Sequence, residues 1–206
     1  MAAAPANQTL YVNGSLSTGD ATNKAVFAAD GEMSLHGTAR VKKEFTVPLS
    51  NFSPGASGPT PALQGIFPSQ EFTIGDDMHT SFEVPTDCDT SEDIEIEVYW
   101  GIDEDYATNS GEVRWQADWR AVAVGENVTS GGSSGTVDFG DVNIPAAAHT
   151  LVKTEGVIPA ASLSQDDLVA LNGMRSALVA GSNPSAEPYI VMVNIEYYVN
   201  KLGEAT

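Results

Sequence analysis

Between Ile94 and Val124 the chain reads IEIEVYWGIDEDYATNSGEVRWQADWRAVAV, a pattern that a helix cannot use. Ile94, Ile96, Val98 and Trp100 alternate with Glu95, Glu97 and Tyr99. A repeat of two gathers the apolar side chains on one face of an extended strand, whereas a repeat of about 3.6 scatters them around a helix. A second run repeats the device, with Val113, Trp115, Ala117, Trp119, Ala121 and Ala123 on one face and Glu112, Arg114, Gln116, Asp118 and Arg120 on the other. The GIDEDYATNSG segment between them is rich in turn formers. The simplest arrangement is therefore an antiparallel pair joined by a long exposed loop, with all three tryptophans in the core. On this reading Arg114 and Arg120 form cross-strand ion pairs with Glu95 and Glu97, whose side chains point to solvent.

The same logic carries along the chain. From Tyr189 to Val199 the residues Tyr189, Val191, Val193, Ile195, Tyr197 and Val199 share a face, and β-branched and aromatic types dominate both faces, as in a central, covered strand. Shorter strands are predicted at several places between Thr9 and Ala39, with turns at Asn13-Gly14, Gly19-Asp20 and Asp30-Gly31. Others are predicted at Arg40–Leu49, closed by Pro48, and at Phe72–Ile74, Thr80–Val84, Thr136–Val142 and Thr150–Glu155. SGGSSG, residues 130–135, reads as a flexible tip, and residues 161–175 as a short helical turn followed by a strand. These segments amount to roughly eight to ten strands with no long helix, the signature of an all-β sandwich or barrel. Residues 1–8 read as a loose arm, 9–206 as a single domain, and the Pro/Gly-rich segment 50–68 as an irregular excursion from it.

Charge excludes one class of function. With 28 acidic and 9 basic residues, a net charge of -19, the chain has no basic stripe to displace counterions from a nucleic-acid backbone. No run approaches the length of a membrane span, and MAAAPANQTL lacks the charged region and apolar core of a secretion signal, so a soluble product is expected where it is made. The lone Cys88 rules out an intramolecular disulfide.

Candidates for chemistry are few. Asp87, Asp89, Glu92 and Asp93 space carboxylates as an oxygen-ligand cation loop begins, but the glycine, terminal glutamate and flanking helices of a calcium hand are missing. A solvated loop is the plainer reading. Asp103, Glu104 and Asp105 with Asn109 supply too few oxygens for a hard cation. His36, His79 and His149 stand in no metal-binding spacing. No serine occupies a nucleophile elbow, and Cys88 is blunted by acidic neighbours. No catalysis, metal or cofactor is expected. Trp100, Trp115 and Trp119 on apolar faces read as core together with Ile94, Ile96, Val98, Val191, Val193 and Ile195, rather than as sugar-stacking platforms.

Several segments taken together, FEVPTDCD (82–89), VYW (98–100), SGEVRW (110–115), IPAASLSQDDLVALNGMR (158–175) and IVMVNIEYYV (190–199), resemble jelly-roll virion structural proteins of phages and archaeal viruses. The resemblance spans about residues 78–200. It implies an antiparallel jelly-roll β-sandwich in a non-enzymatic virion component assembled in the host cytoplasm. Its form would be a capsid decoration or cement protein, usually trimeric, whose partners are the capsid shell protein and copies of itself, with neither nucleic acid nor membrane. A tail or spike module that binds carbohydrate or a receptor, and a shell subunit proper, are the alternatives. Under the resemblance, the contacts with neighbours fall to the arm 1–8 and to Lys42, Lys43, Asn51, Phe52, Pro54 and Phe67. The related proteins run an uninterrupted strand where Asn172-Gly173 stands here, so a kink or bulge is expected at that point.

Overall fold

The computed structural model describes residues 16–19, 22–28, 33–36, 40–107, 110–199 and 201–202. The chain divides into two compact units, Met1–Val41 with Val199–Thr206, and Lys42–Tyr198. In the first, β1 (Leu16–Gly19), β2 (Lys24–Phe27) and β3 (Met33–His36) form an antiparallel sheet that a two-residue strand, Lys201–Leu202, extends beside β3. The arm 1–8 and the predicted Asn13-Gly14 and Asp30-Gly31 turns lie outside the described residues, as does Asp20 of the third turn.

The second unit carries the residues of interest. Its strands are β4 (Val41–Val47), β5 (Ser53–Pro54), β6 (Thr60–Gln64), β7 (Phe67–Glu71), β8 (Asp77–Glu83), β9 (Ile94–Ile102), β10 (Glu112–Val122), β11 (Ser133–Asn143), β12 (Val152–Ile158), β13 (Leu168–Ser176) and β14 (Pro188–Val199). One antiparallel sheet runs β11-β10-β13-β8-β5, and the other runs β12-β9-β14-β7-β6 with β4 also paired to β14. The chain changes sheet after β4, β5, β7, β8, β9, β11, β12 and β13, and the result is an all-β jelly-roll sandwich.

The core follows from the alternation. Trp100 of β9 meets Trp115 of β10 edge to face across the sandwich, ring centroids 6.1 Å apart, and Phe72 packs against Trp115 at 5.2 Å. Ile94, Ile96, Val98, Trp119, Val193 and Ile195 are buried around them. A buried tryptophan removes roughly 150–250 Å² from water, a gross gain of about 5 kcal/mol at about 25 cal/mol per Å². Both central indole N–H groups lack a partner among the described residues, which offsets about 1–3 kcal/mol each. Burial therefore wins.

Several expectations need correction. β9 and β10 do not pair: they lie in opposite sheets and meet through their apolar faces, so the loop between them crosses the sandwich. Arg114 accordingly pairs with Asp138 and Asp141 of β11, and Arg120 donates to the Gly131 carbonyl, not to Glu95 or Glu97. The 50–68 segment is not irregular throughout, because β6 and β7 form a hairpin within it. Phe72–Ile74 is not a strand, and SGGSSG is already entering β11 at Ser133. Asn172-Gly173 keeps continuous register with both β10 and β8.

The irregularity falls instead at Val191. Ile190 sits opposite Trp100 and Met192 opposite Tyr99, so β14 carries one extra residue there. That bulge reverses the facing: Ile190, Val193 and Ile195 look inward, while Tyr189, opposite Gly101, looks outward. Val191 is half-buried and is not core.

Candidate functional site

Three features of the outer surfaces could meet a partner. The first is an apolar hollow on the outer side of the β12-β9-β14-β7-β6 sheet. Opposite Tyr189, Gly101 leaves room for the phenol ring, since a Cβ there would lie 2.7 Å from the hydroxyl and 2.9 Å from the nearest ring carbon. The β6–β7 hairpin turns through Gly65 and Ile66. Gly65 has φ +64° while Ile66 stays out of the left-handed region, the arrangement of a type II′ turn with glycine first. The hairpin exposes its apolar side chains: Ile66 is 89% exposed, Phe67 63% and, on the opposite face from Phe67, Leu63 70%. Beside it, Phe67, Gln64, Leu151, Tyr189, Val191 and His149 line a hollow of about 480 Å³.

The lip of the hollow is an ordered polar chain. His149 adopts φ +58°, a left-handed conformation that histidine tolerates better than branched residues, at a cost on the order of 1 kcal/mol. Its backbone N–H donates to the Ile102 carbonyl at 2.8 Å. Nε2 lies 2.8 Å from Asp103 Oδ1, and Nδ1 lies 3.4 Å from the Tyr189 hydroxyl. A neutral imidazole that donates from Nε2 to the carboxylate leaves Nδ1 to accept from the phenol. Burial raises the pKa of that phenol, and Asp103 and Glu71 raise it further, so it holds its proton and is no nucleophile at neutral pH. The chain Asp103–His149–Tyr189 positions the rim.

The second feature is a trough across the outer face of the other sheet. Register places Ser53, His79, Asn172, Asp118 and Thr136 in one row over five strands. Two adjoining hollows of about 520 and 620 Å³ share His79, Thr80 and Ala170. Thr136 donates to Asp118 at 2.6 Å, and His79 Nε2 lies 3.2 Å from Asp77. No tryptophan offers a face here, because Trp119, which borders the trough, is buried.

The third is the polar patch around Glu97. Although it alternates with apolar residues, Glu97 is buried at 3% exposure and not directed to solvent. It accepts hydrogen bonds from Lys153 at 2.7 Å, the Tyr99 hydroxyl at 2.9 Å and Asn194 at 3.5 Å. Burial pushes its pKa up, but the hydrogen bonds from Lys153, Tyr99 and Asn194 outweigh burial and hold it below the ordinary glutamate value. The hydrogen bonds of Lys153 to Glu155 and Glu97 raise its own pKa.

The sequence-predicted site residues are dispersed over these surfaces. Lys42 pairs with Glu95 and Glu196, and Lys43 with Asp87, so both lysines are held within the chain. Phe52 lines a small interior cavity of about 30 Å³ with Met78 and Trp115. Asn51 and Pro54 are exposed at the β5 end of the other sheet. Phe67 alone of the six borders the apolar hollow.

The acidic loop is taken up by local structure. Asp89 is buried and accepts from the Ser91 backbone and hydroxyl, and Asp93 accepts from the Ala160 backbone. Glu92 is exposed. Cys88 is buried, and burial first, with Asp89 and Asp87 after it, pushes its thiol up to about 11. Glu104 accepts from the Ser185 and Ala186 backbone, Asp103 faces His149, and Asn109 lies outside the described residues. Among the described residues no three His, Cys, Asp or Glu side chains converge as metal ligands, and no helix is long and apolar enough to cross a membrane.

No family model matches the sequence, and no curated protein matches it. Similar solved structures include the xylan-binding module CBM15 (14% identical, covering 77% of this chain and 97% of that one, TM-score 0.47). Another is the carbohydrate-binding module CBM36 in complex with calcium and xylotriose (10% identical, 74% and 98% covered, TM-score 0.39). A third is the structure of infectious bursal disease virus, Gx strain (11% identical, 90% and 40% covered, TM-score 0.36). Identities and scores this low assign no ligand or role to the chain.

Proposed function

We propose that this chain is a non-enzymatic structural component of a virus particle, a jelly-roll protein that attaches to a capsid shell and reinforces it as a homotrimer. The supporting observation is the exposed apolar pair Ile66 and Phe67 at the hairpin turn, set beside a hollow that Phe67, Leu151 and Tyr189 line. Contiguous apolar surface is costly for a soluble monomer and is the usual mark of an interface. The Asp103–His149–Tyr189 rim, whose phenol stays protonated, suits recognition better than turnover. The test is to raise an antibody against the purified chain and apply it to virus particles banded on a density gradient. Labelling of intact particles is expected; particles that stay unlabelled and lack the chain by mass spectrometry refute the role.

A carbohydrate- or receptor-binding module is the second reading, and the polar row His79, Asn172, Asp118 and Thr136 favours it. Such a module would bind a glycan array, and substituting Asp118→Ala would abolish that binding; a blank array rejects it.

A further inference from the structure

The charges of this chain are distributed unevenly, and the gap coincides with the apolar hairpin. From Phe45 to Gln70 there is no Asp, Glu, Lys, Arg or His, the longest such stretch in a chain of net charge -19. The stretch ends in β6 and β7, whose turn carries Ile66 at 89% exposure. Among the described residues β6 is also the outermost strand of its sheet. Edge strands of monomeric proteins are commonly guarded by charged side chains, and this one has none. Its only blocking device is Pro61, which removes one backbone donor from the edge and so discourages open-ended strand addition.

We infer that the β6–β7 hairpin and the hollow lined by Phe67, Leu151, Tyr189 and Val191 form the docking surface for a second copy of this chain. Charge identifies the occupant. A basic partner would be drawn to the carboxylates of a chain whose net charge is -19. A second copy, equally acidic, can approach only where neither chain presents charge. The β6–β7 hairpin from Thr60 to Gln70 provides such a surface, and the carboxylates beside the hollow, Asp103 and Glu71, are already engaged by His149 and Gln64. The projecting tip and the hollow beside it supply both halves of a contact within one chain. The tip of one copy can therefore seat in the hollow of the next, reciprocally or around a ring. The inference rests on the self-assembling part of the proposed function and names its surface.

Sedimentation velocity of the full chain tests it, with wild type, Ile66→Asp/Phe67→Asp and Leu151→Asp measured at 1–50 μM (concentrations on the order of typical interface constants). Wild type should sediment at two or three times the 21.6 kDa chain mass. Both variants should weaken association on the order of 100-fold or more, since each loses buried apolar area and places a carboxylate in the contact. The altered side chains are largely exposed, so the tryptophan emission of the variants should match wild type. Val124→Asp, at a residue 98% exposed in another sheet's loop, should leave the mass unchanged. Raising NaCl should tighten the assembly, because screening relieves repulsion between like-charged copies. A wild-type oligomer that both variants leave intact overturns the surface while leaving self-assembly standing. A monomeric wild type overturns both, and loosening by salt overturns the like-charged occupant. Antibody labelling of particles reports separately on the virion role.

Discussion

Replacing Glu97 by Gln probes whether the buried polar patch stabilises the sandwich through charge. The carboxylate is 3% exposed and accepts two short hydrogen bonds, from Lys153 and Tyr99, and a longer one from Asn194. Hydrogen bonds to a charged group contribute about 1.5–3 kcal/mol each. Glutamine keeps the shape and one acceptor oxygen, but it turns an NH₂ donor toward groups that also donate. Lys153 remains partly exposed and still has Glu155, so the variant strands no buried cation and avoids the larger loss of breaking a fully buried pair. The expected loss is therefore about 2–3 kcal/mol at pH 7, or roughly 4–10 °C in Tm for a chain of this size.

The pH dependence of that loss carries the sharper test. The Glu97 pKa is depressed in the folded state from an ordinary 4.5, so its contribution is fully present above the unfolded value and disappears as pH falls through the folded one. Protonated Glu97 resembles glutamine, and the gap between wild type and variant should close progressively below pH 4.5. Urea titrations followed by tryptophan emission at several pH values measure it directly. A gap under about 0.5 kcal/mol at pH 7, or one that stays constant into acid, would show that Glu97 acts by shape alone.

Other substitutions read other parts of the fold. Gly101→Ala places a Cβ 2.7 Å from the Tyr189 hydroxyl and should destabilise by about 1–3 kcal/mol in chemical denaturation as the ring is displaced. Arg175→Ala removes a guanidinium, 2% exposed, that donates to the Phe72 carbonyl at 2.7 Å and pairs with Glu187; a loss of about 3 kcal/mol is expected in thermal melts. Cys88, buried with its thiol raised to about 11, should resist a thiol reagent at pH 8 until the chain is unfolded. The three buried tryptophans should emit in the blue and resist acrylamide quenching; red-shifted, readily quenched emission would contradict the packed core.

The strands that bury one face were legible in the sequence, because period-two alternation at Ile94–Trp100 and Val113–Ala123 leaves little choice of conformation. Their partners were not. The same pattern is satisfied by two strands paired in one sheet or by two strands facing each other across a core, and only packing between distant segments selects the second. The polar face of β9 misled for a related reason: alternation identifies the side away from the core, but Lys153, Tyr99 and Asn194 close over Glu97 there. The hairpin in the Pro/Gly-rich segment did leave a signal, a Gly-x pair at 65–66 between two short runs, and the surrounding prolines hid it.

Bulges account for the rest, and they connect fold to surface. On β11 an extra residue between Asp138 and Asp141 turns both carboxylates to one side, where both reach Arg114; in a regular strand, residues three apart would face opposite ways. On β14 the extra residue at Val191 lets Val193 and Ile195 fill the core while Tyr189 faces outward to the hollow. An uninterrupted strand could not do both, since residues four apart share a face. The hollow thus depends on one inserted residue, on the missing side chain at Gly101 and on the β6–β7 turn, whereas the sandwich core depends on the alternating runs on either side of the bulge. Surface and core should therefore separate experimentally: charges at Ile66 and Phe67 should change association while leaving the unfolding midpoint unmoved at dilutions where wild type is monomeric, and Trp115→Phe should do the reverse.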